Sequence, residues 1–169
     1  VVAMPSKEMK KKIGQLFLCG FDGRAVTTGV KNLLGRYHVG GLVFFARNIS
    51  EPGQVWEFIR SLKSPGLITA IDHEGGRVVR LPEPATRFPA AARFGEVNAP
   101  ALVRSAAQYQ ARELKAIGFN LNFAPVLDLS TNPLNRVIAD RAFSADPARV
   151  SPLAVEYING LRDEGIIAC

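Results

Sequence analysis

The densest run of side chains that could do chemistry is the Ile-Asp-His-Glu-Gly-Gly segment at residues 71–76, which is followed by Arg77 and Arg80. Asp72 and Glu74 can accept hydrogen bonds from hydroxyl groups of a ligand. The two glycines let the backbone turn sharply and let a ligand approach closely. The arginines offer forked donors for hydroxyl, carboxylate or phosphate groups. A charged loop with internal salt bridges is the alternative, and the residue types alone leave both open.

The same run contains residue types that ligate metals, namely Asp72, His73 and Glu74. Adjacent residues cannot easily point at one ion, and His38 is the only other histidine. We therefore expect no metal site, and we expect His73 to be packed or exposed rather than catalytic. No cofactor is expected either, because the chain has neither a G-x-G-x-x-G nor a G-x-x-x-x-G-K-[ST] motif.

Two further residues are secondary candidates. Asp128 ends an apolar run, where it could cap a helix, make a structural hydrogen bond or contact a ligand directly. Arg141 lies in a long loop, residues 130–149, that contains the turn-forming pairs Asn-Pro and Asp-Pro. Long loops often serve a site, yet an arginine there is often only an anchor of its loop. Both interpretations stay open for each residue.

The elements that position these residues are short apolar runs separated by helical stretches. Near-continuous apolar runs are typical of strands that are buried on both faces of a parallel sheet. Five such runs occur, at residues 16–21, 41–46, 67–72, 119–124 and 166–169. Helices are predicted between them from apolar residues at i, i+3, i+4 and i+7 spacing. They cover residues 30–37, 55–62, 99–117 and 150–161, and a first helix holds Lys7 to Lys12.

Strand-helix alternation leaves two architectures, an open doubly wound sheet or a (β/α)8 barrel. In both, functional residues gather where the strands end. Arg47-Asn48 follows the second run, residues 72–76 follow the third, and Pro125 to Asp128 follow the fourth. The missing glycine motif disfavours a dinucleotide-binding sheet. All three polar clusters are therefore expected at one edge of the sheet.

Composition excludes several classes of protein. The chain has 169 residues, of which 47% are hydrophobic and 21% are charged, as in an ordinary globular domain. The net charge of +6 is scattered apart from Lys10-Lys11-Lys12, so we expect no nucleic-acid partner. No apolar run is long enough for a membrane span. Cys19 and Cys169 form no disulfide framework, which favours a cytoplasmic location. A secreted or periplasmic location stays open because the chain starts at Val1.

Several motifs, in order along the chain, resemble the N-terminal domain of glycoside hydrolase family 3. Residues 40–49 resemble its G-G-hydrophobic-hydrophobic-L-F-x-R-N stretch, and residues 71–80 its I-D-Q-E-G-G-R-V-x-R signature. Phe88-Pro89 matches the following F-P. Residues 114–128 resemble L-x-x-x-G-I-N-x-x-x-A-P-V-x-D, and residues 137–143 resemble V-I-G-x-R-S-F. The resemblance spans roughly residues 9–168 and is similar to the bacterial β-N-acetylhexosaminidase branch that trims peptidoglycan fragments.

The resemblance implies a fold and roles for individual residues. It implies an α/β fold, the N-terminal part of a (β/α)8 TIM-type barrel with parallel strands. Asp72 would bind hydroxyls of the terminal sugar, and Arg80 and Arg141 match further substrate contacts. Asp128 and Glu74 stay secondary candidates. The departures are His73 for the usual Gln, Ala139 for the usual Gly and Ala142 for the usual Ser. We expect Ala139 to reshape the loop that presents Arg141.

The catalytic residues of the resembled family are expected beyond Cys169. The family's next motif, K-H-F-P-G-H-G, follows the fifth strand, and its acid/base His and nucleophilic Asp come later. We therefore expect residues 1–169 to be a partial barrel that ends at or within the fifth strand and is inactive alone. The implied activity of the whole protein is release of terminal β-N-acetylglucosamine, by a retaining mechanism, from muropeptides or chitooligosaccharides. A β-glucosidase-type member and a non-catalytic carbohydrate-binding relative are the alternatives.

Overall fold

Five short parallel strands form one sheet whose spatial order equals their order along the chain. The structure is a computed structural model that describes residues 6–62 and 64–169. The strands are β1 (Leu18–Gly20), β2 (Gly41–Phe44), β3 (Ile68–Ile71), β4 (Leu121–Asn122) and β5 (Ile167–Ala168). Each lies inside one of the predicted apolar runs, so the prediction of a parallel α/β fold is confirmed.

In the part of the chain that the structure describes, six helices connect or precede the strands. They are α1 (Lys7–Gly14), α2 (Thr28–Gly35), α3 (Pro52–Leu62), α4 (Ala91–Val97), α5 (Pro100–Ile117) and α6 (Pro147–Asp163). Helix α6 begins where the Asp146 side chain accepts from the Ala148 amide at 2.9 Å, with Pro147 in the first turn. Helix α5 ends at Gly118, whose φ of 108° is the left-handed conformation that glycine adopts at helix ends. Five helices match the sequence prediction, whereas α4 was not predicted.

The sheet separates two apolar clusters. On one face, Leu42, Phe44 and Ile71 are fully buried against the helices. Phe44 also packs edge-on against Phe58 and Phe119, with ring centroids 5.3 Å apart in both pairs. The opposite face carries a smaller cluster, Val43, Ala70 and Leu121 with flanking Leu18, Phe45, Ile68 and Phe123. Side chains alternate between the two faces along a strand. The face on which the last strand residue lies therefore determines the face toward which each following residue points.

Helices α5 and α6 pack against each other beside β4. Gly160 allows the close approach, since a Cβ there would lie 2.5 Å from the Arg104 carbonyl oxygen. The Arg104 guanidinium also donates to Asp163 at 3.0 Å and to Glu156 at 3.3 Å. This pair of helices places two buried polar side chains, Gln110 and Tyr157, directly behind the carboxyl end of β4.

Across residues 6–62 and 64–169, no helix has both the length and the apolar content that a bilayer crossing requires.

Candidate functional site

The predicted polar clusters meet at the carboxyl end of the sheet. Asp72 follows β3 directly, and the Phe123 amide extends the ladder by donating to the Ile71 carbonyl at 2.9 Å. Asp72 is two residues after Ala70 and therefore continues onto the face of the smaller apolar cluster. His73 continues onto the opposite face, toward the helices, where it is 1% exposed. Of the two positions expected for His73, packed or exposed, the structure shows the packed one.

Asp72 forms an ion pair with Arg80. The Arg80 Nη2 atom donates to Asp72 Oδ2 at 3.0 Å, and both side chains are about one quarter exposed, at 28% and 26%. Within the described ranges, Oδ1 of Asp72 accepts no hydrogen bond from the protein. Arg80 Nε is buried without a partner among those residues. The pair therefore leaves one carboxylate oxygen of Asp72 and one buried donor of Arg80 without a partner among the described residues.

Glu74 and Arg141 form a second, bidentate pair across 67 residues of chain. Arg141 Nε donates to Glu74 Oε2 at 2.9 Å, and Nη2 donates to Oε1 at 2.7 Å. The hydrogen bonds to Glu74 raise the pKa of Arg141, and the nearby Asp72 and Asp128 carboxylates add to that rise. Nη1 donates to the Val137 carbonyl at 3.2 Å. A guanidinium carries five N–H groups, so two remain for a ligand.

Asp128 lies close enough for its charge to act on Arg141, but its side chain is exposed. In the described part of the chain it makes no side-chain hydrogen bond and caps no helix. The capping and structural interpretations therefore find no partner for Asp128, whereas a ligand could still reach its carboxylate.

Arg77 and Arg80, which the sequence suggested as one pair of donors, have different partners. Arg80 binds Asp72, whereas Arg77 turns away and binds the loop that carries Arg141, ending on Asp140 Oδ1 at 2.8 Å. The two glycines that precede Arg77 also differ from expectation. A Cβ on Gly75 would lie 2.5 Å from the Pro89 carbonyl oxygen, and one on Gly76 would lie 2.6 Å from the Ala90 Cβ. The expectation that they admit a ligand is thus replaced by close packing of the chain's own residues 88–90.

A buried polar network that the sequence did not reveal fixes the end of β3. The Asn122 side chain accepts from the His73 amide at 2.9 Å and donates to the His73 carbonyl at 2.9 Å. Its Nδ2 also donates to Gln110 Oε1 at 3.4 Å, and Tyr157 donates its hydroxyl to the same oxygen. Burial raises the pKa of Tyr157. Because Asn122 forms hydrogen bonds with both the amide and the carbonyl of His73, it fixes the backbone from which the neighbouring Asp72 and Glu74 side chains project. The only sequence signal was an asparagine inside a buried apolar run.

Comparison with known proteins places this geometry in a family. The family model for the glycosyl hydrolase family 3 N-terminal domain matches residues 8–169.

The chain belongs to glycosyl hydrolase family 3.

The relatives of this family 3 chain include bacterial β-hexosaminidases. It is 42% identical over 156 residues to the β-hexosaminidase of Thioalkalivibrio sulfidiphilus, covering 87% of this chain and 45% of that protein. It is 39% identical over 158 residues to the β-hexosaminidase of Pseudomonas aeruginosa, covering 92% and 47% respectively. The chain therefore spans about half the length of these relatives.

Solved structures show the same fold. A family 3 β-N-acetylglucosaminidase from Paenibacillus superposes with a TM-score of 0.91 at 36% identity, covering 95% of this chain and 32% of that one. NagZ from Neisseria gonorrhoeae, in complex with N-trifluoroacetyl-D-glucosamine, superposes with a TM-score of 0.82 at 34% identity, covering 90% and 48%. The five parallel strands of this family 3 chain thus match part of the family's barrel domain.

The departure from the family motif at Ala139 has a structural cost. Ala139 has a φ of 40°, in the left-handed region where a Cβ is strained and glycine is favoured. It begins the 3₁₀ turn Ala139–Arg141, which presents Arg141 to Glu74. The loop still brings Arg141 to Glu74, so the alanine strains the backbone of the loop without displacing Arg141.

Replacing Ala139 by glycine should therefore stabilise this family 3 chain by about 1 kcal/mol, because relief of the strained φ exceeds the entropy that glycine adds to the unfolded chain. Urea unfolding at pH 7.5 would measure the change. Ala116→Gly is the matched control, because Ala116 is an exposed residue within α5, where glycine should lower stability instead. A destabilised A139G variant would contradict the strain.

Proposed function

We propose that this chain supplies the subsite for the terminal N-acetylglucosamine of a retaining β-N-acetylhexosaminidase acting on peptidoglycan-derived fragments or chitooligosaccharides. The observation that carries the proposal is the paired arrangement of Asp72–Arg80 and Glu74–Arg141 at the carboxyl end of β3. It leaves a free carboxylate oxygen beside free guanidinium N–H groups. Adjacent hydroxyls of a sugar need this combination of acceptor and donors.

Charge balance at the site supports a neutral ligand. Four arginines at the carboxyl end of the sheet have a carboxylate partner, and Asp128 adds one further negative charge. The ion pairs are Arg47–Asp22 at 3.3 Å, Arg77–Asp140 at 2.8 Å, Arg80–Asp72 at 3.0 Å and Arg141–Glu74 at 2.7 Å. Arginines that are neutralised in this way have little charge left for a phosphate, whereas they can still donate to hydroxyls.

The identity of the sugar in this proposal comes from the relatives. The relatives from Thioalkalivibrio sulfidiphilus and Pseudomonas aeruginosa are β-hexosaminidases, and NagZ from Neisseria gonorrhoeae was solved in complex with N-trifluoroacetyl-D-glucosamine. The β-glucosidase-type alternative predicts a different preference. Methyl β-N-acetylglucosaminide should therefore bind the chain more tightly than methyl β-glucoside, and the reverse order in a calorimetric titration would favour the alternative.

Replacing Asp72 by asparagine should weaken binding of methyl β-N-acetylglucosaminide at least about tenfold, since hydrogen bonds to charged groups contribute about 1.5–3 kcal/mol. The measurement is the dissociation constant by NMR titration. Asp163→Asn is the matched control, because Asp163 also pairs with an arginine, at 2.8 Å, but lies at the end of α6 away from the site. Equal affinity in D72N and D163N would refute the role of Asp72.

The 169-residue chain alone should not hydrolyse the glycoside. Retaining hydrolysis needs a nucleophile and an acid/base. At this site Asp72 and Glu74 are held by arginines, and burial, partly offset by Glu113, lowers the pKa of His73 to about 4 on the far side of the sheet. We infer that residues 1–169 are the first part of a (β/α)8 barrel whose catalytic residues follow in the whole protein. An assay on a chromogenic N-acetylglucosaminide tests this, and turnover comparable to a full-length relative would contradict it.

A cytoplasmic location is part of the proposal and rests on two free thiols, Cys19 and Cys169. Recovery of the native protein from a periplasmic extract would refute that part alone.

A further inference from the structure

Arg77 makes a dense set of contacts with a loop that lies about 60 residues further along the chain. Its Nε donates to Asp140 Oδ1 at 2.8 Å. Its Nη2 lies 2.9 Å, 2.6 Å and 3.3 Å from the carbonyl oxygens of Arg136, Val137 and Ile138. One side chain therefore gathers the carbonyls of three successive residues and one carboxylate, although it is 45% exposed.

Residues 134–138 of the loop have little else to hold them. Leu134 and Val137 are 85% and 68% exposed, so residues 134–138 bury little apolar surface. Asn135 Oδ1 accepts from the Val137 and Ile138 amides, at 3.1 Å and 3.3 Å, which shapes the loop but does not tie it to the sheet. Without contacts to a buried element, such a segment would open readily on its own.

The contacts between the two segments are reciprocal. Arg77, from the segment after β3, binds the loop, and Arg141, from the loop, binds Glu74 in the segment after β3. Both guanidinium groups donate to the Val137 carbonyl, at 2.6 Å and 3.2 Å. The strained φ of 40° at Ala139 lies between these two anchor points. A loop under strain keeps its shape only when contacts on both sides hold it.

We propose that Arg77 is a positioning residue for ligand binding. It fixes residues 136–140, and it thereby holds Arg141 so that two of its N–H groups point at the sugar beside Asp72. The inference rests on the proposed function, because it assigns Arg77 to the same subsite. It goes beyond that function because the affinity would depend on a residue whose side-chain hydrogen bonds, among the described residues, all go to the loop.

The test uses Arg77→Met, Arg77→Lys and a matched control, Arg93→Met. Arg93 pairs with Glu96 at 2.7 Å on α4, and among the described residues its side chain donates a hydrogen bond to Glu96 alone. Hydrogen exchange by mass spectrometry should show faster exchange of amides 137–142 in R77M but not in R93M. In an NMR titration with methyl β-N-acetylglucosaminide, R77M should weaken affinity about tenfold. R77K should fall between R77M and wild type, because a lysine keeps the charge opposite Asp140 but loses the fork.

A double variant separates positioning from general stability. If Arg77 acts through Arg141, then R77M added to Arg141→Met should cause no further loss of affinity, although each single variant weakens binding. Independent losses that add would overturn the inference, as would unchanged loop exchange in R77M. If the wild type binds the sugar and R77M binds it with the same affinity, this inference is wrong but the proposed function stands. A wild-type chain that does not bind the sugar overturns the proposed function and this role with it.

Discussion

Replacing Glu74 by glutamine is expected to destabilise the chain by about 2 kcal/mol, because the variant leaves the guanidinium of Arg141 without its bidentate partner. Glu74 is 11% exposed and Arg141 is 24% exposed, so solvent screens the pair only in part. Loss of one partner from a fully buried pair costs about 3–5 kcal/mol, and the partial exposure of this pair makes the expected loss smaller. The melting temperature should fall by about 4–8 °C.

The loss in E74Q should be local as well as global. Arg141 begins to leave its position in the native state, so hydrogen exchange of residues 137–142 should accelerate together with the drop in melting temperature. Glu96→Gln is the matched control, because the Arg93–Glu96 pair has a similar distance, 2.7 Å, but side chains that are 71% and 60% exposed. It should leave both readouts unchanged. An E74Q protein as stable as E96Q would show that the buried pair contributes nothing.

The second large effect concerns acid stability and His73. Burial lowers the pKa of His73 from 6.5 to about 4, and the Arg87 and Arg80 charges lower it further while Glu113 opposes them. Between pH 6.5 and pH 4 the unfolded chain therefore binds a proton at this residue that the folded chain does not. The stability that neutral His73 contributes is fully present above pH 6.5 and is lost as the pH falls toward 4. Between pH 7.5 and pH 5 the loss is about 2 kcal/mol.

His73→Gln, which places the family's usual residue at this position, should remove that part of the pH dependence. The measurement is urea unfolding of both proteins at pH 7.5 and pH 5. The wild type should lose about 2 kcal/mol more than H73Q over that range. His38→Asn is the control: it retains the buried His73, and it should lose as much unfolding free energy between pH 7.5 and pH 5 as the wild type. Identical losses in wild type and H73Q would mean that His73 is not held neutral in the fold.

The sequence predicted the framework because each element depends on local information. The runs at residues 41–46 and 67–72 are apolar enough to be buried on both faces, and they contain β2 and β3. Helix α6 carries an apolar stripe and an Asp-Pro start that are readable within its own residues. Helix α4 was missed because it is seven residues long, contains Gly95 and has no side-chain cap.

The candidate site was predictable only in part. The position of Asp72 follows from β3 and the direction of parallel strands, and the family resemblance supplied its partners Arg80 and Arg141. The contacts of Arg77 with the loop at residues 136–140 could not be predicted, because they join segments about 60 residues apart and depend on how the loop turns. The hydrogen bonds between Asn122 and the His73 backbone could not be predicted either, because the two residues are 49 positions apart in the sequence.

The departure at Ala139 shows where sequence and structure inform each other. The sequence showed only that an alanine stands where the family usually has glycine. The φ of 40° gives the physical reason for the usual glycine, and it places the resulting strain next to Arg141. The residue identity and the backbone conformation were both needed to predict the effect of A139G.

The central claim is that the carboxyl end of β3 binds a terminal N-acetylglucosamine. The most direct test is a titration of the ¹⁵N-labelled chain with methyl β-N-acetylglucosaminide, followed by two-dimensional NMR. We expect saturable shift changes centred on residues 72–80 and 138–142, and we expect D72N to suppress them. No saturable change, or changes centred on α1 and α2 that D72N leaves unaltered, would contradict the claim.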